Sequence, residues 1–445
     1  MRSDMATWEM WQKICTLINC RRKMVRRSSW LFVLMSIGMV FLITVSLAAQ
    51  DWPQWQGVNR DGKSVETGLL KAWPSGGPQL LWKTGKLGEG YAGVSVVGNR
   101  LYVMGGLSDT NVIMAIDTKD GKILWSTKFG VAGLVGNTAT GNVFPGPRCT
   151  PTVDGALIYG VDHRGELICV TAADGEIQWH RHLVKDLGGT LPRWGFAESP
   201  LVDGDRVVVS PGGSQGAMVA LNKRTGDLIW RSREFTDEAH YASIVAAQID
   251  GVPQYVQLTA QNVVGISPED GSVLWKAARV GRTAVIPTPI VAGNYVYVTS
   301  GYNVGSHLFH VTSRDGRFSV EQVYAKREMA NQHGGVVKVG DYLYGYSDSR
   351  GLACQDFTTG EIVWAEKEKI GKGAVSFADG MLYFREERSG AMVLVEAVPT
   401  GYSEKGRFAQ PDRAKEMAWP HPVIAHGKLY LRDQDNLFCY DVKAR

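Results

Sequence analysis

The chain is poor in the features that usually announce chemistry. Of its 445 residues only six are cysteine, and no two of them are adjacent. His163, His240, His333 and His421 are too scattered in sequence to form a metal motif, so no metal site is expected. Charge of one sign is also missing. The formal net charge is +4, and the first 48 residues alone hold seven Lys/Arg against two Asp/Glu. The remainder is therefore close to neutral and gives no electrostatic reason to expect a nucleic-acid partner. Long hydrophobic runs are absent with one exception, the uncharged stretch 28–50, "SSWLFVLMSIGMVFLITVSLAAQ", which follows Arg21, Arg22, Lys23, Arg26 and Arg27.

That stretch reads as a targeting segment. Small residues Ser46 and Ala48 stand where a signal peptidase would look, which points to cleavage after Ala48. The run is also long enough to span a bilayer, so the alternative is an inner-membrane tether over 29–49. Either way the basic flank stays inside and the body is exported, to the periplasm or beyond. Only this segment would meet a membrane.

What the chain has in quantity is glycine (52) and tryptophan (14). Both recur in one motif: "AIDTKDGKILW" at 115–125, "ALNKRTGDLIW" at 220–230, "GISPEDGSVLW" at 265–275 and "CQDFTTGEIVW" at 354–364. Repeats at such intervals mark solenoids and propellers. The tryptophan slot falls at Trp82, Trp125, Trp179, Trp230, Trp275 and Trp364, with drifted copies expected at Val320 and Lys405, making eight units. Each unit carries short runs rich in Val, Ile, Leu and Tyr between Gly and Asp turns, about four strands per unit. The expectation is an all-β, eight-bladed propeller over 77–445, preceded by a segment over 1–48 and a strap over 49–76. The last unit lacks an outer strand and Trp82 lacks a unit before it, so the N-terminal strand around Leu80–Trp82 should close the ring. Such a ring leaves no edge for self-pairing, and a monomer is expected. Cys169, Cys354 and Cys439 fill the slot that Ala115 and Ala220 hold in other repeats; with Cys149 they read as buried free thiols.

The turn-plus-tryptophan motif resembles the repeat of pyrroloquinoline-quinone (PQQ) dehydrogenases, and of non-catalytic relatives such as the lipoprotein propeller of the outer-membrane assembly machine. The resemblance covers about 77–445 and implies the fold. It leaves function open between a binding or scaffold protein, with a protein or glycan partner, and a PQQ-dependent alcohol or sugar oxidoreductase. The quinoprotein alcohol dehydrogenases carry an adjacent Cys–Cys pair and an acidic calcium site, and neither has a counterpart here. PQQ is the one cofactor the resemblance would bring; the residues themselves name none.

One face of the ring should carry compact, repetitive turns. The other carries irregular loops at 162–165, 301–305, 347–351, 386–390 and 432–436, and the two long insertions 129–148 and 180–197. Ligand sites favour variable loops on a rigid scaffold. The residues three before each blade's anchor are Tyr91, Arg148, Ala197, Tyr241, Ile286, His333, Lys372 and Trp419, with Glu198, His240 and His421 beside them. Aromatics for stacking and Arg for bidentate pairing suit a small planar anionic or polyhydroxy ligand at the channel mouth. The bland alternatives are an Arg148–Glu198 pair and a His333 that merely links blades. The tryptophan-rich "DWPQWQGVNRDG" (51–62) should lie across the propeller as a strap.

Overall fold

A computed structural model describes residues 51–137 and 142–444. The chain divides into two units, Met1–Ala49 and Gln50–Arg445, and the reading of the targeting segment lies outside the described residues. Among the described residues there is no α-helix; eight sheets, each built on four antiparallel strands, succeed one another along the chain, and a ninth, two-stranded sheet joins Leu134–Asn137 to Asn142–Pro145.

The first blade shows how sequence dictates position. Its short innermost strand, Ser95–Val97, is followed by Arg100–Leu107 and Thr110–Asp117, whose side chains are buried on both faces because a neighbouring blade covers each. Its outermost strand, Ile123–Val131, alternates exposed and covered positions at the rim. The same four-strand order repeats through seven blades. In the eighth, Val423–Ala425, Lys428–Asp433 and Asn436–Asp441 are completed by Gln79–Thr84, which pairs antiparallel with the last strand, Trp82 opposite Cys439. The ring is thus closed by its own N-terminal strand, as expected, and no blade lacks an outer strand.

A register shift recurs at one place in every blade, at the residue opposite the tryptophan slot: Ala115, Cys169, Ala220, Gly265, Leu308, Cys354, Leu394 and, on the closing strand, Leu80/Trp82. The tryptophans then reach the next blade. Trp82, Trp125, Trp179, Trp230 and Trp364 donate their indole N–H to the carbonyls of Thr118, Ala172, Lys223, Pro268 and Val398. The motif glycine has a double task. Gly121, Gly175, Gly226 and Gly271 have φ of 71–78°, and a Cβ there would sit 2.5–2.7 Å from the tryptophan ring of the preceding blade. Only glycine supplies the left-handed turn and also lets the indole lie flat on the backbone.

Two slots differ from expectation. In the fifth blade, Leu308 pairs with Tyr324, so Tyr324 and not Val320 takes the tryptophan slot; its hydroxyl donates to Phe357 O and its ring lies against Gly360. The tight turn at Asp315–Gly316 lengthens both flanking strands and displaces the slot in sequence. In the seventh blade, Leu394 pairs with Gly406, not Lys405. The missing aromatic comes from elsewhere in the chain: Trp73 packs on Phe408 and Tyr383, with ring centroids 5.1 and 6.0 Å apart. The cysteine slots are as read, and the four described cysteines are buried and free.

Candidate ligand pocket at the channel mouth

The segment 51–66 is more than a strap. Trp52 exchanges two 2.8 Å backbone bonds with Val96 of the first blade, and Pro53 O accepts from Val153 N of the second. Arg60 donates to Ser199 O and Pro200 O ahead of the third blade and to Ile244 O ahead of the fourth. Trp55 Nε1 donates to Thr288 Oγ1 before the fifth (2.8 Å), and Gly62 lies against Val337 of the sixth. Lys63–Ser64 pairs parallel with Phe377–Ala378 of the seventh, and Glu66 accepts from Gly427 N of the eighth (2.6 Å). A segment touching all eight blades from within converts the central channel into a blind pocket whose floor includes Trp55.

The pocket encloses ≈ 290 Å³. Of the residues singled out in the sequence, Tyr91, Arg148, Tyr241, His333, Trp419 and His421 line it, as do the ring positions Ala197 and Ile286. Trp419 lies across the mouth, its ring 4.6 Å from Tyr91, 4.9 Å from His333 and 5.0 Å from Phe144. On another wall Trp194 stands 6.2 Å from Tyr241, and its backbone N–H donates to the Tyr241 hydroxyl.

Glu198, His240 and Lys372 do not line the cavity. Glu198 is 2% exposed, held by Ser210 N–H and the Gln257 amide. Burial pushes its carboxyl up to about 7, against the pull of Ser210 and Arg60. His240 packs edge-on behind Tyr241, and Lys372 turns to Asp348 at 2.7 Å. Alternation explains Glu198: successive residues of an extended lead-in point to opposite sides, so the neighbour of a pocket residue faces the blade.

Arg148 does not pair with Glu198. Its Nη2 donates to Phe144 O at 3.2 Å, while Nη1 is buried without a partner. Among the described residues no carboxylate lies within ion-pairing distance of it. Burial pulls its guanidinium down to about 10, which leaves it charged at neutral pH. His333 combines the two roles considered for it. Its Nε2 meets Glu387 Oε2 at 2.5 Å, its carbonyl accepts from His421 Nε2 at 2.8 Å, and its ring still faces the cavity. Burial lowers His421 to about 4, so it is neutral and rests edge-on to Trp55 at 4.7 Å.

Sequence reasoning missed Trp55, Phe144, Trp194, Tyr302 and Gln332 in the lining. Phe144 and Trp194 belong to the insertions 129–148 and 180–197 and Tyr302 to the irregular loop 301–305, so the signal for the face was present but not the residues. Trp55 was legible only as part of the strap 51–62, because nothing local shows that the strap enters the channel.

The pocket's donor set bears on PQQ. Aromatic walls suit a planar ring. No Asp or Glu is on the lining, and among the described residues no three His, Cys, Asp or Glu side chains are grouped to hold a metal ion. Calcium takes six to eight oxygen ligands, so these residues do not fit a calcium-bound quinone.

A family model described as outer membrane protein assembly factor BamB matches residues 68–183 and 137–366. No curated protein matches. Among solved structures, the chain is similar to BamB from Moraxella catarrhalis, with 14% identity over 80% of this chain and 95% of that one, TM-score 0.56. It is also similar to the quinohemoprotein alcohol dehydrogenase of Comamonas testosteroni, with 12% identity over 91% and 82%, TM-score 0.59. A computationally designed protein, Ika8, shares the fold at 10% identity over 82% and 100%, TM-score 0.56. At these identities the likeness is one of fold.

Proposed function

The chain belongs to the family of outer membrane protein assembly factor BamB, and from that premise we propose that it is an exported binding propeller, not an oxidoreductase. It holds a small ligand in the blind pocket and offers the irregular face around the mouth to a protein partner. One observation carries this reading: seven aromatic side chains and one arginine without an ion-pair partner line a pocket with no acid on its wall. Such a lining buries and orients a ligand but offers no oxygen set to activate a quinone.

The test is a thermal-shift and calorimetric screen of sugars, organic acids and PQQ with calcium, on the wild type and Trp419→Ala. Binding of a ligand that Trp419→Ala abolishes, with no redox turnover, supports the reading. Dye-linked alcohol or sugar oxidation on adding PQQ and calcium overturns it in favour of the oxidoreductase. Export is tested separately by fusing residues 1–60 to a phosphatase active only outside the cytoplasm.

A further inference from the structure

The pocket's wall is mostly aromatic, and its unpartnered polar atoms besides Arg148 Nη1, namely Tyr91 Oη, Trp194 Nε1, Trp419 Nε1 and His421 Nδ1, are single groups on separate rings, which narrows the ligand. A sugar needs several donors and acceptors around its rim, because each hydroxyl buried without a partner loses its water contacts. The wall here is instead mostly indole, phenol and phenyl surface, with Trp419 and Trp194 as the largest faces. Within it sits one full charge. Among the described residues no carboxylate ion-pairs with Arg148, and its Nη1 is enclosed with no hydrogen-bond acceptor. Leaving a guanidinium desolvated and unpaired is costly, and a carboxylate relieves that cost with a bidentate pair.

A second polar point lies on the far wall. Arg148 leads into the second blade and His333 into the sixth, which stand opposite in a ring of eight. His333 Nε2 is engaged by Glu387 Oε2, and Nδ1 is the ring nitrogen left for a ligand. From this arrangement, and resting on the reading of the pocket as a binding site, we infer that the ligand is a planar aromatic monocarboxylate, its carboxylate on Arg148 and its ring between Trp419 and Trp194. A hydroxyl on the distal edge of the ring, which can donate or accept, would meet His333 Nδ1. A single cation sets the charge at one, and the absence of acids from the lining removes any repulsion of it.

The experiment titrates the full chain calorimetrically with 2-naphthoate, its neutral isostere 2-naphthamide, glucose, and PQQ with calcium. It is repeated with Arg148→Met and Trp419→Ala. The expected result is that naphthoate binds at least about 10-fold tighter than the amide, the range for a hydrogen bond to a charged group. Arg148→Met should erase that gap while amide binding persists, which also shows that the variant is folded. Equal binding of acid and amide, or a gap that survives Arg148→Met, overturns the carboxylate assignment and leaves the pocket standing as a binding site. Binding of glucose or PQQ in place of naphthoate overturns the aromatic acid alone. If none of the four ligands binds, both this inference and the proposed function fall.

Discussion

The indole of Trp73 stands 6.0 Å from the ring of Tyr383, the same spacing that Trp179 keeps to Tyr159 and, within 0.1 Å, Trp364 to Tyr344. Yet Trp73 is no part of the seventh blade's own strands. It arrives from the segment ahead of the closing strand, its backbone N–H donates to Lys405 O, and it fills the space above Gly406 that an in-blade tryptophan would occupy. The N-terminal segment thus completes two blades, supplying a strand to the eighth and an aromatic to the seventh.

Trp73→Ala should therefore cost as much as Trp230→Ala, about 3–5 kcal/mol for a large buried aromatic. Lys405→Ala should leave stability nearly unchanged, because Lys405 only meets Glu396 at the surface. Denaturant unfolding of the three variants checks this; a harmless Trp73→Ala would remove Trp73 from the slot.

Closure predicts that a chain starting at Leu87 misfolds. Without Gln79–Thr84 the strand Asn436–Asp441 exposes its hydrogen-bonding edge, and such edges recruit other chains. Aggregation and loss of a cooperative melt are expected by light scattering and calorimetry. A soluble, cooperatively melting product would refute closure as a requirement.

The four described cysteines are inaccessible, and burial pushes their thiols up, Cys149, Cys169 and Cys439 to about 12 and Cys354 to about 11. None should react with a thiol reagent at pH 8 in the native state, since the thiolate is the nucleophile. After denaturation without reductant, peptide mass spectrometry should find all four labelled.

Glu198 gives a pH dependence of definite sign. Burial raises its carboxyl to about 7 from the ordinary 4.5 of a free glutamate, so the folded protein holds a proton that the unfolded chain releases. The stability this contributes is full below pH 4.5 and is lost as pH rises through about 7. The loss is about 3 kcal/mol at 1.36 kcal/mol per pKa unit. Because neutral buried histidines such as His421 act in the opposite sense, the measurement is the difference between wild type and Glu198→Gln. That difference should grow in favour of the variant between pH 5 and 8; a flat difference would show that Arg60 fully compensates the charge.

Sequence alone determined the propeller, its eight blades, its closure and the cysteine slots. Each follows from a local period: a glycine forced to positive φ, an aromatic a fixed distance after it, and paired strands too short to fold singly. The same local logic identified seven of the eight register positions as pocket wall, all but Lys372, since they share one spacing to the blade anchors, with His421 beside them. It failed where a long-range contact decides. Tyr324 replaced Val320 because a tighter turn lengthened a hairpin, and Trp73 entered a blade from far along the chain. Glu198 was lost to the interior because side chains alternate along its extended lead-in. Only the tertiary structure sealed the channel with Trp55 and left Arg148 unpaired, because both depend on which blades face each other across the ring, and no spacing in the chain encodes that.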